Sequence, residues 1–394
     1  MPVALVIAVG FLVLFVSGGA RFAIGLIFKP MVDELGWARG ELGLAVGVYL
    51  VVSAFATFIA GRLADRVDAR VLLGAGTVLG GIGIGLMSLV SAPWHAMLLY
   101  GLVFAIGNGA ASLTTVGVVV TRAAPHRAGF ANAAVISGTS FGQLVMIAAL
   151  AAVLVEIGWR SVFVWLAVAH VALLPFLLPR LPGAAPQDPA VTKYDIGIRG
   201  AARTRRFWML IVMYAICGLD DFFVSTHVVA FAQDRGVSTL LAGNLLAFMG
   251  LTALVGVLAG GALSDRTGAV LPTVLAFAAR IAVFGLIAVD QSPLSIAIFA
   301  LVFGATFLVT APLTILFVRE AFGTKNLGAL AGLITMVHQI FGGIGAYGGA
   351  LVYDYTGSYD AAFVALLVAS VLGLVLALWL RAPTSSAASA RSSS

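Results

Sequence analysis

The chain has 394 residues, of which 61% are hydrophobic and 10% are charged, and its mean hydropathy is +1.11. This composition lies far outside the range of soluble domains and excludes a water-soluble protein. A single cysteine, Cys217, leaves neither a disulfide framework nor a cysteine metal site. We therefore expect an integral membrane protein without a bound metal or cofactor.

Apolar stretches recur along the chain and last about 20 residues or more, enough for an α-helix to cross ~30 Å of hydrocarbon. They lack the two-residue alternation of a membrane β-strand, so the predicted fold is all-α. The first stretch has no basic region before it and no cleavage site after it, which favours a helix over a signal peptide. Twelve spans are predicted, near 3–28, 42–60, 71–91, 94–119, 131–155, 160–179, 207–231, 240–262, 270–290, 293–318, 328–353 and 360–380.

The distribution of Lys and Arg predicts the orientation. Most of the 22 basic residues fall on one side when both termini are placed in the cytoplasm, whereas Lys29, Arg39, Arg160 and Arg235 fall outside. Because these charges lie along a membrane face, the pI of about 9.8 does not indicate nucleic-acid binding. We expect a multi-pass protein of the inner (cytoplasmic) membrane that acts as a monomer, with the lipid bilayer around it.

The chain repeats itself with an offset of 200 residues. GRLADRVDAR at 61–70 returns as GALSDRTGAV at 261–270. The repeat predicts two six-helix bundles related by pseudo-two-fold symmetry, an organisation typical of membrane transporters with a ligand site between the halves near mid-depth. The predicted parts are an N-terminal bundle at 1–179, a cytoplasmic linker at 180–206, a C-terminal bundle at 207–381 and a disordered tail at 382–394.

The motif G-x-L-x-D-R follows helix 2 and is repeated after helix 8. With this motif and its twelve spans, the chain resembles the major facilitator superfamily. Segments 19–37, 225–236 and 354–363 resemble the bacterial relatives of the monocarboxylate porters and oxalate/formate antiporters. The resemblance implies the major facilitator fold and a secondary transporter, not an enzyme, that works by alternating access. It also implies that the motif residues act as gating latches: Gly61, Asp65, Arg66, Gly261, Asp265 and Arg266.

Two adjacent carboxylates, Asp220 and Asp221, lie near the middle of predicted helix 7. An ionisable side chain at that depth costs ~2.5–3.5 kcal/mol and normally turns into the bundle or a wet cavity. Neighbouring helix positions diverge by about 100°, so we expect one carboxylate to face the cavity and the other to lie against a helix. Burial and the like-charged neighbour favour the protonated form, which makes the pair candidates for proton coupling. A purely structural pairing with Arg280 remains open.

Seven other polar side chains lie within predicted spans and are candidates for substrate binding. Arg21 is the favoured anion-binding residue, because helix 1 lines the cavity in the superfamily that the chain resembles; the alternative is an arginine that reaches the headgroups. For Arg280, bracing of helices and substrate contact both remain open, because helix 9 packs outside in that superfamily. The candidates are Arg21, Asn108, Gln143, His227, Arg280, His338 and Gln339.

The substrate class is inferred by comparison with the oxalate/formate antiporters, which place an arginine on helix 8 and a lysine on helix 11. Val257 and Thr335 stand at those positions. Without two cations to hold a dicarboxylate, the chain is expected to carry a small monocarboxylate-like anion together with protons. The alternatives are a proton-coupled exporter of cationic or amphipathic drugs, attracted by Asp220 and Asp221, and a membrane receptor that has this fold without transport.

Overall fold

The computed structural model describes residues 3–63, 67–123, 128–177, 198–322 and 327–380. Within these ranges, ten helices are long and apolar enough to span a membrane. One of them, Ala128–Leu177, makes two passes because the backbone turns at Gly158, where φ is 71°. A further pass is broken in two between Phe307 and Thr310. The described residues thus cross the membrane twelve times, which confirms the predicted all-α fold.

The twelve passes are numbered α1 to α12 in chain order. Their bounds are Val3–Leu35 for α1, Arg39–Leu63 for α2, Ala69–Leu86 for α3, consecutive segments from Pro93 to Ala123 for α4, Ala128–Leu177 before and after Gly158 for α5 and α6, Arg205–Asp234 for α7, Thr239–Thr267 for α8, Val270–Val289 for α9, Pro293–Phe307 with Thr310–Phe322 for α10, Leu327–Thr356 for α11 and Asp360–Leu380 for α12. The short helix Ile198–Ala201 precedes α7.

Several helices are longer than their hydropathy predicts. Lys29, expected in a connection, lies inside α1, because its amine pairs with Asp33 one turn later at 3.1 Å and with Asp234 at 3.2 Å. Asp265 and Arg266, expected in a loop, lie in the last turns of α8. That helix ends where Gly268 adopts a φ of 77°, which few other residues tolerate. Asp65, Arg66, most of the linker and the tail lie outside the described residues.

The two six-helix halves, α1–α6 and α7–α12, meet along three helix pairs. At this interface α1 packs on α7, α2 on α11, and α5 on α8. We call the membrane end at which α1 joins α2, α7 joins α8 and α11 joins α12 the distal end, and the end with the chain termini the proximal end. Among the described residues, the hydrogen bonds and ion pairs between the halves all lie between mid-depth and the distal end.

Arg39, the first residue of α2, lies at the centre of the distal contact. Its guanidinium is buried between the halves, 2.7 Å from a carboxylate oxygen of Asp234 and 2.7 Å from the hydroxyl of Tyr359, and it covers the ring of Tyr353. The backbone N–H groups of Arg39 and Gly40 donate to Asp354 on the opposite half, at 2.9 and 2.6 Å. Burial raises the pKa of the Tyr359 phenol, so its hydroxyl keeps its proton. The distal end is closed in this structure.

Small residues allow this closure. A Cβ placed on Gly43 of α2 would lie 2.6 Å from the Cβ of Ala350 on α11, and one on Gly25 of α1 would overlap the carbonyl of Ser225 on α7. The helix backbones can approach so closely only because these positions carry no side chain. Closure at the distal end therefore depends on glycines that the hydropathy pattern does not distinguish.

We expect Gly43→Leu to open the distal end, because leucine would force α2 and α11 apart. The distance between spin labels on cysteines at Ala38 and Tyr355, exposed residues on opposite halves, should shift to longer values. Cys217 is buried and does not compete for the label. Gly348→Leu on α11 is the matched control, because no atom lies within 4 Å of its added Cβ. Equal distances in both variants would contradict the expectation.

Candidate functional site

A narrow cavity lies near mid-depth between the halves, on the proximal side of the distal contact, with room for about one water molecule in this state. Both halves contribute to it, chiefly through aromatic and apolar side chains, as is typical of small-molecule sites. Its lining consists of Arg21, Phe22, Ile24, Val46, Tyr49, Leu50, Tyr100, Phe222, Ser225 and Thr226. The position between the two repeats is the one that the sequence predicts for a ligand site.

Arg21 is the cation of this cavity. The side chain is half-buried, and its guanidinium lies 4.7 Å from the centre of the Phe222 ring and 5.8 Å from that of Phe22. Among the described residues no carboxylate pairs with it. A guanidinium away from bulk water favours an anion strongly, and two aromatic faces beside it supply apolar contact. The cavity is therefore suited to a ligand with one negative group.

The far wall of the cavity depends on an irregular helix. Residues Met97–Phe104 of α4 form a π-helical segment, a geometry found frequently at functional sites. This segment carries Tyr100, whose hydroxyl donates to the carbonyl of Arg21 at 3.3 Å. The hydroxyl of Tyr49 donates to the side-chain oxygen of Asn108 at 3.0 Å, and the Asn108 amide donates to the carbonyl of Ser17. Asn108, predicted to bind substrate, thus holds a cavity tyrosine in place.

The two carboxylates of α7 form a buried cluster with Arg280 of α9. Nη2 of Arg280 lies 2.6 Å from Asp221 and Nη1 lies 3.4 Å from Asp220, and all three side chains are at most 2% exposed. We expected one carboxylate to face the cavity, and neither lines it. The reason is that both turn toward the single guanidinium, which lies on the C-terminal half away from the interface.

The surroundings of the cluster satisfy most of its hydrogen-bonding groups. Ser370 of α12 donates to Asp220 at 2.9 Å, while Nε2 of His338 on α11 lies 3.1 Å from Asp221. The other oxygen of Asp220 has no partner among the described residues. Two ionised carboxylates and one guanidinium leave a net negative charge, which one proton on a carboxyl or on His338 would neutralise. One added proton would therefore make the cluster neutral.

A break in α10 supplies further acceptors to the cluster. Pro312 has no backbone N–H to donate to the carbonyl of residue 308, four residues earlier, and the helix is interrupted between Phe307 and Thr310. The carbonyl of Thr306 accepts from Arg280 at 3.3 Å, and the Thr306 hydroxyl accepts at 3.1 Å. The broken pass therefore fixes the direction of the guanidinium.

The ligand atoms of Cys217, Asp221 and His338 lie within 4.8 Å of one another, a spacing that could hold a metal ion. However, Arg280 donates to Cys217 at 3.4 Å and to Asp221 at 2.6 Å. A bound cation would compete with the guanidinium for the same lone pairs and would be repelled by its charge. We assign no metal to this cluster.

The remaining candidates are dispersed. Gln143 is buried between the halves, and its amide donates to the carbonyl of Leu246 on α8 at 2.9 Å. His227 is buried at the distal contact, where Nδ1 meets Tyr359 and Nε2 meets the carbonyl of Ala346. Gln339 is half-buried on α11. These three do not line the cavity, and their assignment to substrate binding remains a prediction.

Four of the six predicted gating residues lie within the described part of the chain, at the proximal end. Gly61 and Gly261 are helical, and Asp265 and Arg266 are exposed. Among the described residues, neither Asp265 nor Arg266 has an ion-pair partner. Their gating role remains a prediction.

The sequence analysis did not predict the tyrosines and hydroxyl side chains of the cavity, which are Tyr49, Tyr100, Ser225 and Thr226. Aromatic residues in an apolar span cannot be distinguished by sequence from those that face lipid. Cys217 was likewise not predicted as a member of the cluster. Cys217 precedes Asp221 by four residues and therefore shares its helix face, a spacing that could have revealed the contact.

Comparison with known proteins agrees with this architecture. The sequence model of the Major Facilitator Superfamily matches residues 10–346 and, again, 210–393. An uncharacterised MFS-type transporter of Bacillus subtilis (strain 168), YcxA, is 25% identical over 368 residues, which are 86% of this chain and 87% of that protein. Monocarboxylate transporter 13 of Bos taurus is 23% identical over 349 residues, 88% of this chain and 82% of that protein.

The fold is also that of solved transporters. The crystal structure of the nucleoside transporter NupG superposes with a TM-score of 0.78 at 14% identity and covers 96% of this chain and 99% of that chain. Because the family model spans most of the sequence, the comparisons settle the class of protein: this chain is a multi-pass secondary transporter, not an enzyme, and it belongs to the major facilitator superfamily.

Proposed function

We propose that the protein carries a small organic anion with one carboxylate across the cytoplasmic membrane, together with a proton. The observation that carries this proposal is Arg21, a half-buried cation without a carboxylate partner among the described residues, at the wall of the central cavity. A substrate carboxylate would complete the pair that the chain itself leaves open. The similarity to monocarboxylate transporters supports the same class.

The environment of the second membrane arginine supports this assignment. Arg280 already contacts two carboxylates, so it has no charge to offer to a substrate. The cavity therefore presents one cation, which suits a monocarboxylate better than a dicarboxylate. The same contacts weigh against a cationic drug as substrate, because Asp220 and Asp221 both pair with Arg280 and do not line the cavity.

The cluster around Arg280 is the proposed proton site. His338, whose side chain is 18% exposed, packs on Phe222 of the cavity wall with ring centres 5.6 Å apart, and also contacts Asp221. We infer that a proton reaches the buried carboxylates through this imidazole. Protonation removes the net negative charge of the cluster, so an anion on Arg21 and a proton on the cluster would move together without net charge transfer.

We propose that the distal end faces outside, because most Lys and Arg residues fall on the other side, and that the protein acts as a monomer. The closed distal end then corresponds to a state closed toward the outside.

Binding and counterflow test the proposal. Purified protein should gain thermal stability with small monocarboxylates, with less or no gain from dicarboxylates and organic cations, and proteoliposomes should exchange the stabilising anion. Preferential stabilisation by cations would favour the drug-exporter alternative, and binding without counterflow would favour a receptor. Either result would refute the proposal.

A further inference from the structure

The distal contact includes an imidazole whose hydrogen bonds have only one possible direction. Nε2 of His227 lies 2.7 Å from the carbonyl oxygen of Ala346 on α11. Since a carbonyl can only accept, Nε2 must carry the proton. In neutral histidine the other nitrogen, Nδ1, is then an acceptor.

The rest of the chain of bonds follows from this assignment. The hydroxyl of Tyr359 lies 3.1 Å from Nδ1 of His227 and donates to it. The same oxygen accepts from Nη1 of Arg39 at 2.7 Å. Neutral His227 thus orients a tyrosine of the C-terminal half to receive the arginine of the N-terminal half, and every hydrogen in the chain has an acceptor.

Protonation of His227 would disturb this chain in two ways. A hydrogen on Nδ1 would point at the Tyr359 oxygen, whose own hydrogen would lose its acceptor. The imidazolium would also lie one hydroxyl group away from the Arg39 guanidinium, in a site with little water to screen the repulsion. The rings of Phe28 and Phe223 pack on the imidazole, with centres 5.1 and 5.3 Å away, and offer no anion to compensate.

We propose that His227 is a proton-responsive positioning residue of the distal closure: neutral His227 holds the two halves together through Tyr359 and Arg39, and its protonation opens the distal end. By linkage, acid shifts the equilibrium toward the distally open state. The proton on His227 must leave before the distal end closes, so it is not carried across. The inference holds whatever the substrate is, and it is separate from the cluster around Asp221.

Other charged or titratable groups also meet at the distal contact, and a test must separate them from His227. They lie on α1, α2, α7 and α11 and in the connection before α12. They are Lys29 on α1, Arg39 on α2, Asp234 on α7, Tyr353 and Asp354 on α11, and Tyr359 before α12. The pH is therefore varied between about 8 and about 5.5, and substitutions, not the pH range, separate His227 from these groups.

Distances between spin labels at Ala38→Cys and Tyr355→Cys, measured in lipid nanodiscs without substrate, test the inference. In the otherwise unmodified protein we expect the fraction with a long distance to rise roughly three- to tenfold as the pH falls from about 8 to about 5.5, the response of one linked proton. In His227→Gln the rise should be absent. Tyr359→Phe, which lacks the bridging hydroxyl, should show the long distance at both pH values.

Constant distances in the protein with native His227 would overturn the inference. So would a rise that persists in His227→Gln, which would assign the response to Asp234 or Asp354. Closed distances at both pH values in Tyr359→Phe would show that the bridge is dispensable. Because no substrate is present, none of these results depends on anion binding at Arg21, and the two proposals can fail separately.

Discussion

Replacing Arg21 with glutamine should abolish most anion uptake. The variant removes the one cation of the central cavity, and a hydrogen bond to a charged group contributes about 1.5–3 kcal/mol. The dissociation constant of the substrate is therefore expected to rise roughly 10- to 100-fold. The measurement is the concentration dependence of counterflow in proteoliposomes, together with thermal stabilisation by the same anion.

Arg21→Lys is the matched variant, because it keeps the charge but loses the planar pair of donors. It should retain part of the affinity, between the native protein and Arg21→Gln. Neighbouring contacts provide a structural control, since Tyr100 bonds the backbone carbonyl of Arg21 and not its side chain. Unchanged affinity in Arg21→Gln would refute the assignment of the substrate carboxylate to this residue.

The second large effect is expected from Asp221→Asn. The variant leaves one carboxylate, Asp220, beside Arg280 at 3.4 Å, so the cluster becomes neutral without a proton. Uptake driven by a pH gradient should then fall to simple equilibration, while counterflow, which needs no net proton movement, should persist. Comparison of gradient-driven accumulation with counterflow in the same proteoliposomes separates the two.

Two further variants complete this test. Asp220→Asn should uncouple in the same way, because it also leaves one carboxylate beside one guanidinium. Ser370→Ala removes a hydrogen bond to Asp220 but changes no charge, so it should remain coupled. If Asp220→Asn and Asp221→Asn, singly and together, accumulate substrate like the native protein, the cluster has a structural role alone. Arg280→Gln is less informative, because uncompensated buried carboxylates cost roughly 3–5 kcal/mol and threaten folding.

Hydropathy predicts the fold of this chain well because the bilayer constrains it so strongly. A helix that crosses hydrocarbon must form all its backbone hydrogen bonds internally and must be apolar for about 20 residues. The apolar runs of the sequence therefore predict both the existence and the approximate limits of each helix. Hydropathy did not predict the ends of α1 and α8. Lys29 lies within α1, where it pairs with Asp33 of the same helix and Asp234 of α7, and α8 continues until the backbone turns at Gly268. These determinants depend on contacts and backbone angles.

The site was harder to predict, and the two aspartates show why. Depth along a helix follows from residue number, so their burial could be expected. The direction in which each points depends on which neighbouring helix carries the counter-charge, and the cluster required the relative rotation of α7 and α9. Likewise, the role of Arg39 could not be read from a short polar connection, because its partners Asp234 and Tyr359 lie 195 and 320 residues away in the chain.

The carboxylate of Asp354 has a consequence for the helix that it contacts across the interface. It accepts from the N–H groups of Arg39 and Gly40, and thereby serves as an N-terminal cap that α2 receives from the other bundle. When the bundles separate at this end, the first turn of α2 loses its cap and frays. The rate of amide hydrogen exchange at Arg39 and Gly40 should therefore report how often the distal end opens. This measurement needs neither a spin label nor a substitution and can be made in the native membrane.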